Sequence, residues 1–171
     1  MITRTCLCLV VRPGSASQAE IGPISGNREV LLGFKKAGFG AGRWVGLGGH
    51  IEDGEEPAEA AAREVTEESG LTVTGLVHMA SLNFVFPARP SWNQSADVFV
   101  TSDFDGEAAE SDEVIPRWFG IDALPFDGMW DDARYWMPLV LAGERVCADI
   151  TFADDCATVA AAEPDLISRY G

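Results

Sequence analysis

Positive charge is scarce in this 171-residue chain: 12 Lys and Arg stand against 27 Asp and Glu, for a net charge of −15 and a pI near 4.3. Such a surface offers no basic footprint on which nucleic acid or an anionic membrane could rest. Cysteine is sparse too. Cys6, Cys8, Cys147 and Cys156 show no CxxC spacing, and Cys6 and Cys8 fall on one side of a strand, so reduced thiols in a cytoplasmic protein are expected. The two histidines, His50 and His78, form no metal pair. No apolar run approaches 18 residues, and Cys6–Val11 is too short for a signal peptide, which argues against a membrane helix and a secretory leader. What remains is 47% hydrophobic with a mean hydropathy of +0.05, enough to build one domain with its own core, 1–171. A monomer or small homo-oligomer is expected.

The pattern of apolar residues and turn formers predicts strands at Thr3–Val11, Glu29–Phe34 and Trp44–Leu47, with a glycine-rich loop from Lys35 to Gly42. A flexible loop insertion is expected at 12–27, where no apolar periodicity survives. A helix is expected over about 57–69, then strands at Val73–Phe86, Ala96–Thr101 and Pro116–Gly120, with Phe104–Glu113 an acidic loop. A helix at about Asp131–Ala142, a strand at Arg145–Phe152 and a short final helix from near Cys156 complete the reading. Strands interleaved with two main helices predict an α/β fold, an α/β/α sandwich around a mixed β-sheet.

The residues that carry chemistry sit on the 57–69 helix. At 100° per residue Glu64, Glu67 and Glu68 fall within an arc of about 100°, on one face. Like charges at i,i+3 and i,i+4 destabilise an isolated helix by about 0.2–0.5 kcal/mol per pair. Their place in the last turns, before Gly70, adds an unfavourable dipole interaction of roughly 0.3–1 kcal/mol each. A divalent cation reverses both effects. Pro57 suits the first turn, Gly70 the left-handed stop, and Ala58, Ala61, Ala62 and Val65 supply a thin apolar stripe opposite the acids.

The surrounding spacing is specific. Gly49, Glu55, Arg63, Glu64, Val65, Glu67, Glu68, Gly70 and Leu71 place nine specified positions in 23 residues, and in this the chain resembles the Nudix hydrolases without a departure. The resemblance implies the Nudix fold and a hydrolase acting on phosphoric anhydride bonds. Glu64, Glu67 and Glu68 would hold Mg²⁺, or Mn²⁺, with the backbone carbonyl of Gly48 as a further ligand and Arg63 and Glu55 bracing the loop. Hard cations of this kind take oxygen ligands and keep sites open for substrate phosphates and water.

Further phrases, KKAGFGAGRW (Lys35–Trp44), ESDEV (Glu110–Val114), RWF (Arg117–Phe119), PFDGMW (Pro125–Trp130) and YWMP (Tyr135–Pro138), are similar to those of the MutT-type oxidised purine nucleoside triphosphatases. By that resemblance Glu113 joins the catalytic acids as metal ligand or base. Phe84 and Trp130 wall the base pocket with Phe39 nearby, Asp132 reads the purine edge and Lys35 contacts substrate. A buried Asp accepts a hydrogen bond when ionised and donates one when protonated, and a dry pocket raises its pKa toward the second role. The implied activity is metal-dependent pyrophosphohydrolysis of an oxidised purine nucleotide such as 8-oxo-dGTP to the monophosphate and pyrophosphate. The substrate is a free nucleotide, not nucleic acid.

Two positions depart from the human-type pattern. Val45 stands in place of an Asn that hydrogen-bonds the base, and Ala133 in place of the second Asp of a pair, with Asp131 where a proline is found. Losing a buried polar partner changes discrimination strongly. Two alternatives therefore stay open: hydrolysis of a nucleoside diphosphate linked to another moiety, such as ADP-ribose or a dinucleotide, and a non-catalytic nucleotide-binding module. The tract Ser81–Pro87 shares only Ser, Phe and Pro with the NADH pyrophosphatase signature SQPWPFP, and the intact acids speak against a binding-only domain.

Overall fold

The computed structural model describes residues 2–14 and 27–166. In chain order these form β1 (Thr3–Pro13), β2 (Arg28–Lys35), β3 (Trp44–Val45), β4 (Leu47–His50), α1 (Pro57–Ser69), β5 (Thr72–Thr74) and β6 (Val77–Val85). There follow β7 (Gln94–Thr101), β8 (Asp103–Asp105), β9 (Val114–Gly120), α2 (Ala133–Leu141), β10 (Val146–Phe152) and β11 (Val159–Leu166). The main sheet runs β11-β10-β6-β7-β1-β2-β3, with β4 also paired to β1 and β9 to β2. It is mixed: β1 lies parallel to β7 and β10 parallel to β6, while the other pairs are antiparallel.

Alternation along β1 builds two cores on opposite faces of this sheet. Cys6, Cys8 and Val10 pack with Ala60, Ala61 and Val65 of α1. Leu9 and Val11 face the other way, toward Ala133, Trp136, Met137 and Val140 of α2. The result is the expected α/β/α arrangement.

Helix α1 occupies the expected span. Pro57 opens it, the Glu59 carboxylate accepts the Glu56 N–H at 3.4 Å, and Gly70 ends it at φ 77° with its N–H on the Thr66 carbonyl. The apolar stripe differs from the reading in part: Ala60, Ala61 and Val65 are buried, whereas Ala58 is exposed and Ala62 half-buried.

Other boundaries shift for identifiable reasons. The strand expected at Val73–Phe86 is two strands, because Gly75 at φ 63° turns the chain between β5 and β6. Phe104 and Asp105, expected to begin an acidic loop, belong to β8, which pairs with β5. The short strand expected at Trp44–Leu47 is divided between β3 and β4, and β4 carries on through Gly48 and Gly49 to His50. The helix expected from near Cys156 is a turn followed by β11, which pairs antiparallel with β10. Three consecutive alanines at 160–162 favour a helix locally, but the edge of β10 offers a ladder and Pro164 disfavours a helix interior. Of the insertion expected at 12–27, residues 15–26 lie outside the described residues, and Arg12 and Pro13 extend β1.

Candidate active site

Pairing of β4 with β1 carries Gly48 and Gly49 onto the C-terminal half of α1. The Gly48 N–H donates to Glu68 Oε2 at 3.0 Å. Glu68 is only 2% exposed. Burial pushes its pKa up to about 7, against the Gly48 hydrogen bond and the Lys35 charge, and the charges of Glu64 and Glu113 push the same way. Glu113 lies in the segment before β9, where its carbonyl accepts the Lys36 N–H at 2.8 Å.

Glu64 lies beside Gly49: a Cβ on that glycine would sit 2.6 Å from the Glu64 carboxylate. Arg63 forks across the group. Its Nε and Nη2 donate to the two oxygens of Glu55 at 2.8 and 3.0 Å, its Nη1 to Glu64 at 2.9 Å and Glu67 at 3.3 Å, and its Nη2 also to the His50 carbonyl. The hydrogen bonds from Arg63 are the main reason the Glu55 carboxyl is held down to about 2. Glu67, whose side chain is 57% exposed, stands at the rim. Glu64, Glu67 and Glu68 share a helical face but not one environment.

The donors gathered around Gly48 and Gly49 are carboxylate and carbonyl oxygens, which suits a hard divalent cation. As placed, no three His, Cys, Asp or Glu side chains converge to ligand distances among the described residues, and Arg63 engages both Glu64 and Glu67.

From Gly48–His50 a cleft of about 950 Å³, open mouth included, runs between the sheet and α2. Lys35, Phe39, Phe84, Trp130 and Asp132 all line it. Phe39, from the glycine-rich loop, stacks on Trp130 with ring centres 5.1 Å apart at 20° and stays 42% exposed. Arg43 lies over the Trp130 ring at 4.2 Å. Asp132 is 6% exposed and accepts the Trp136 Nε1–H at 2.7 Å. Burial outweighs that bond and pushes its pKa up to about 6, with the Asp131 charge adding to the rise. Val45 and Ala133 line the same cleft and contribute no polar side-chain atom.

The profile of the NUDIX domain family matches residues 21–140. The chain belongs to the Nudix family. Within it, the chain is 43% identical over 139 residues to the oxidized purine nucleoside triphosphate hydrolase of Danio rerio, covering 81% of this chain and 80% of that protein. It is 41% identical over 127 residues to the protein of the same name from Mus musculus, covering 74% and 81%. The NAD-capped RNA hydrolase NudC of Pseudomonas aeruginosa is 32% identical over 122 residues, 71% of this chain but 42% of that protein. In fold, a MutT protein from Bacillus halodurans superposes with a TM-score of 0.72 at 20% identity, covering 96% of this chain and 98% of that one.

This Nudix cleft also contains residues that sequence reasoning missed. Phe86 and Phe152 stack with centres 4.3 Å apart at 4° and form its floor, and Gln94 lines it beside Phe84. Only the cross-strand pairing of β6 with β7 and β10 brings these positions together. His50, an exposed residue, also lines the cleft. His78 is a β6 residue paired with Asp97 at 2.8 Å. Among the described residues no helix is long and apolar enough to cross a membrane.

Proposed function

We propose that this Nudix protein hydrolyses nucleoside triphosphates to the monophosphate and pyrophosphate, with an oxidised purine deoxynucleotide such as 8-oxo-dGTP as its substrate. The observation that carries this reading is the junction at Gly48–His50 of an acid-lined helix face with an aromatic cleft that ends on a buried carboxyl. The names of the zebrafish and mouse relatives support it.

In this reading Trp130, Phe39 and Phe84 hold the base by its faces and Asp132 reads its edge. Lys35 and His50 face the phosphates. Glu64, Glu67 and Glu68, with the Gly48 carbonyl and Glu113, would hold Mg²⁺ or Mn²⁺, which when bound polarises phosphoryl oxygens and acidifies water. Arg63 and Glu55 fix the orientation of those acids. One of the carboxylates takes the proton as water adds across the P–O–P bond. The cysteines are free, and burial pushes Cys6 up to about 11 and Cys8 up to about 12, so these thiols stay protonated and inert, which suits the cytoplasm.

The test is kcat/KM with Mg²⁺ for 8-oxo-dGTP, dGTP, 2-hydroxy-dATP and ADP-ribose, with pyrophosphate and monophosphate detected separately. Preference for an oxidised triphosphate with release of pyrophosphate is expected, and loss of that turnover by at least a hundredfold in Glu67→Gln or Glu68→Gln with the fold intact. Preference for ADP-ribose would mean that Val45 and Ala133 redirect the pocket. Unchanged turnover in both variants would remove the site assignment.

A further inference from the structure

Asp131 lies between the two cleft residues Trp130 and Asp132 in the chain but does not itself line the cleft. Its Oδ2 accepts the Val159 N–H, the first of β11, at 2.8 Å. Its Oδ1 pairs with Arg134 Nε, one turn along α2, at 2.9 Å. Both oxygens are thus engaged, one by each neighbouring element.

The partner on the β11 side is itself well held. Ala153 N–H donates to the Thr158 carbonyl across the β10–β11 turn, and the Asp155 carboxylate accepts from the Ala157 and Thr158 N–H groups and from the Thr158 hydroxyl. Val159 pairs with Phe152, whose ring lies 5.9 Å from that of Trp130. On the other side, the Ala133 N–H closes onto the Trp130 carbonyl, so residues 130–133 form one turn.

We infer that Asp131 is a positioning residue for base recognition: its carboxylate ties the Trp130–Asp132 turn to the β10–β11 hairpin and thereby sets the stacking ring and the edge-reading carboxyl relative to the cleft floor. The hairpin, which lies beyond the residues matched by the family profile, is by this clamp part of the base site. The inference rests on the reading above that Trp130 and Asp132 contact the base.

A clamp of this kind is tested from both ends. Asp131→Ala removes the acceptor, Val159→Pro removes the donor at the first position of a strand, where proline is tolerated, and Asp131→Asn keeps an acceptor without the charge. Binding of the nucleoside monophosphate product and KM for the triphosphate are measured in full-length protein whose fold is checked by circular dichroism, beside Trp130→Ala and Asp132→Ala. Asp131→Ala and Val159→Pro are each expected to raise Kd and KM about tenfold with kcat within about twofold, the effect of one charge-assisted hydrogen bond. The double variant is expected to be no worse than either alone, and Asp131→Asn to stay within about threefold of the parent. Unchanged Kd in Asp131→Ala, or effects of the two ends that multiply, would overturn the clamp. If Trp130→Ala and Asp132→Ala themselves leave Kd unchanged, it is the base-site reading that fails.

Discussion

Gly49 and Glu64 fit together as a space and its filling: the Glu64 carboxylate occupies the position that a side chain on Gly49 would need, with its carbon 2.6 Å from an ideal Cβ. Arg63 holds that carboxylate in place at 2.9 Å. The neighbouring Gly48 differs, since a Cβ there would lie 2.0 Å from the Cys6 carbonyl oxygen, in the β1–β4 ladder itself. Gly49→Ala is therefore expected to keep the fold and lose activity, because the end of a Glu side chain yields more readily than a backbone. Gly48→Ala is expected to lower the melting temperature. Thermal melts and turnover of the two variants side by side check this, and a Gly49→Ala protein with parental kcat would show that the position of Glu64 is immaterial.

Arg63 serves four acceptors at once: Glu55 through a bidentate pair, Glu64, Glu67 and the His50 carbonyl. Lys has one ammonium and cannot reproduce the fork. Arg63→Lys is expected to weaken Mg²⁺ activation and turnover by about 10–100-fold, the usual effect of removing a partner that orients metal ligands. Glu55→Gln should follow it with a smaller loss. The depressed Glu55 pKa fixes the sign of the pH effect: the pair is intact above the ordinary carboxylate range and is lost only as pH falls through about 2. Loss of parental activity between pH 6 and 4 thus belongs to other groups, whereas Arg63→Lys, which loosens the fork, is expected to add a loss in this range as Glu55 returns toward its ordinary value; a variant profile parallel to that of the parent would show that the fork does not hold Glu55 down.

The acid face of α1 was legible because each residue needed for it lies within one short stretch at helical spacing, and its caps, Pro57 and Gly70, are local too. The aromatic walls were reachable only through resemblance. What could not be read were relations set by pairing between distant strands. Phe86 and Phe152 form a stacked floor because β6 and β10 run parallel in a register that sets Phe84 against Ile150. Gln94 reaches the cleft because β7 sets it opposite Phe84. The end of the chain was misread for the same reason, since the alanines of β11 take their conformation from β10. The burial of Glu68 against the exposure of Glu67 likewise depends on β4 covering one and not the other.

Trp130 meets Phe39 by stacking, Arg43 through its ring face, and Phe86 and Phe152 edge-on at 6.3 and 5.9 Å. Stacking of one base on an aromatic contributes about 1–3 kcal/mol, and a base stacked on Trp130 takes the place of Phe39 or Arg43. Trp130→Ala is expected to raise Kd for the nucleotide by at least tenfold while kcat at saturation changes by less than about threefold. Phe39→Ala should have the smaller effect, since Phe39 is 42% exposed. Titration calorimetry with the monophosphate product separates the two, and equal affinities for parent and Trp130→Ala would place the base elsewhere.

The protonation of Asp132, a group of the cleft, should be visible in stability. Burial raises its pKa from 3.8 to about 6, the Trp136 N–H and its own backbone N–H oppose the rise, and the Asp131 charge adds to it. The folded chain therefore binds a proton more tightly than the unfolded chain between those two values. The stabilisation this gives is fully present below about pH 4 and is lost as pH rises through about 6, above which the fold must hold an ionised carboxylate in a dry place. Asp132→Asn can still accept from Trp136 and carries no charge at any pH. The difference in unfolding free energy, variant minus parent, is expected to rise between about pH 4 and pH 7 and then level off. Urea unfolding of both proteins at closely spaced pH values, in the presence of a chelator, measures it. A difference that stays flat would mean that the carboxyl ionises at its ordinary value, and that edge recognition by a neutral Asp132 has no physical basis.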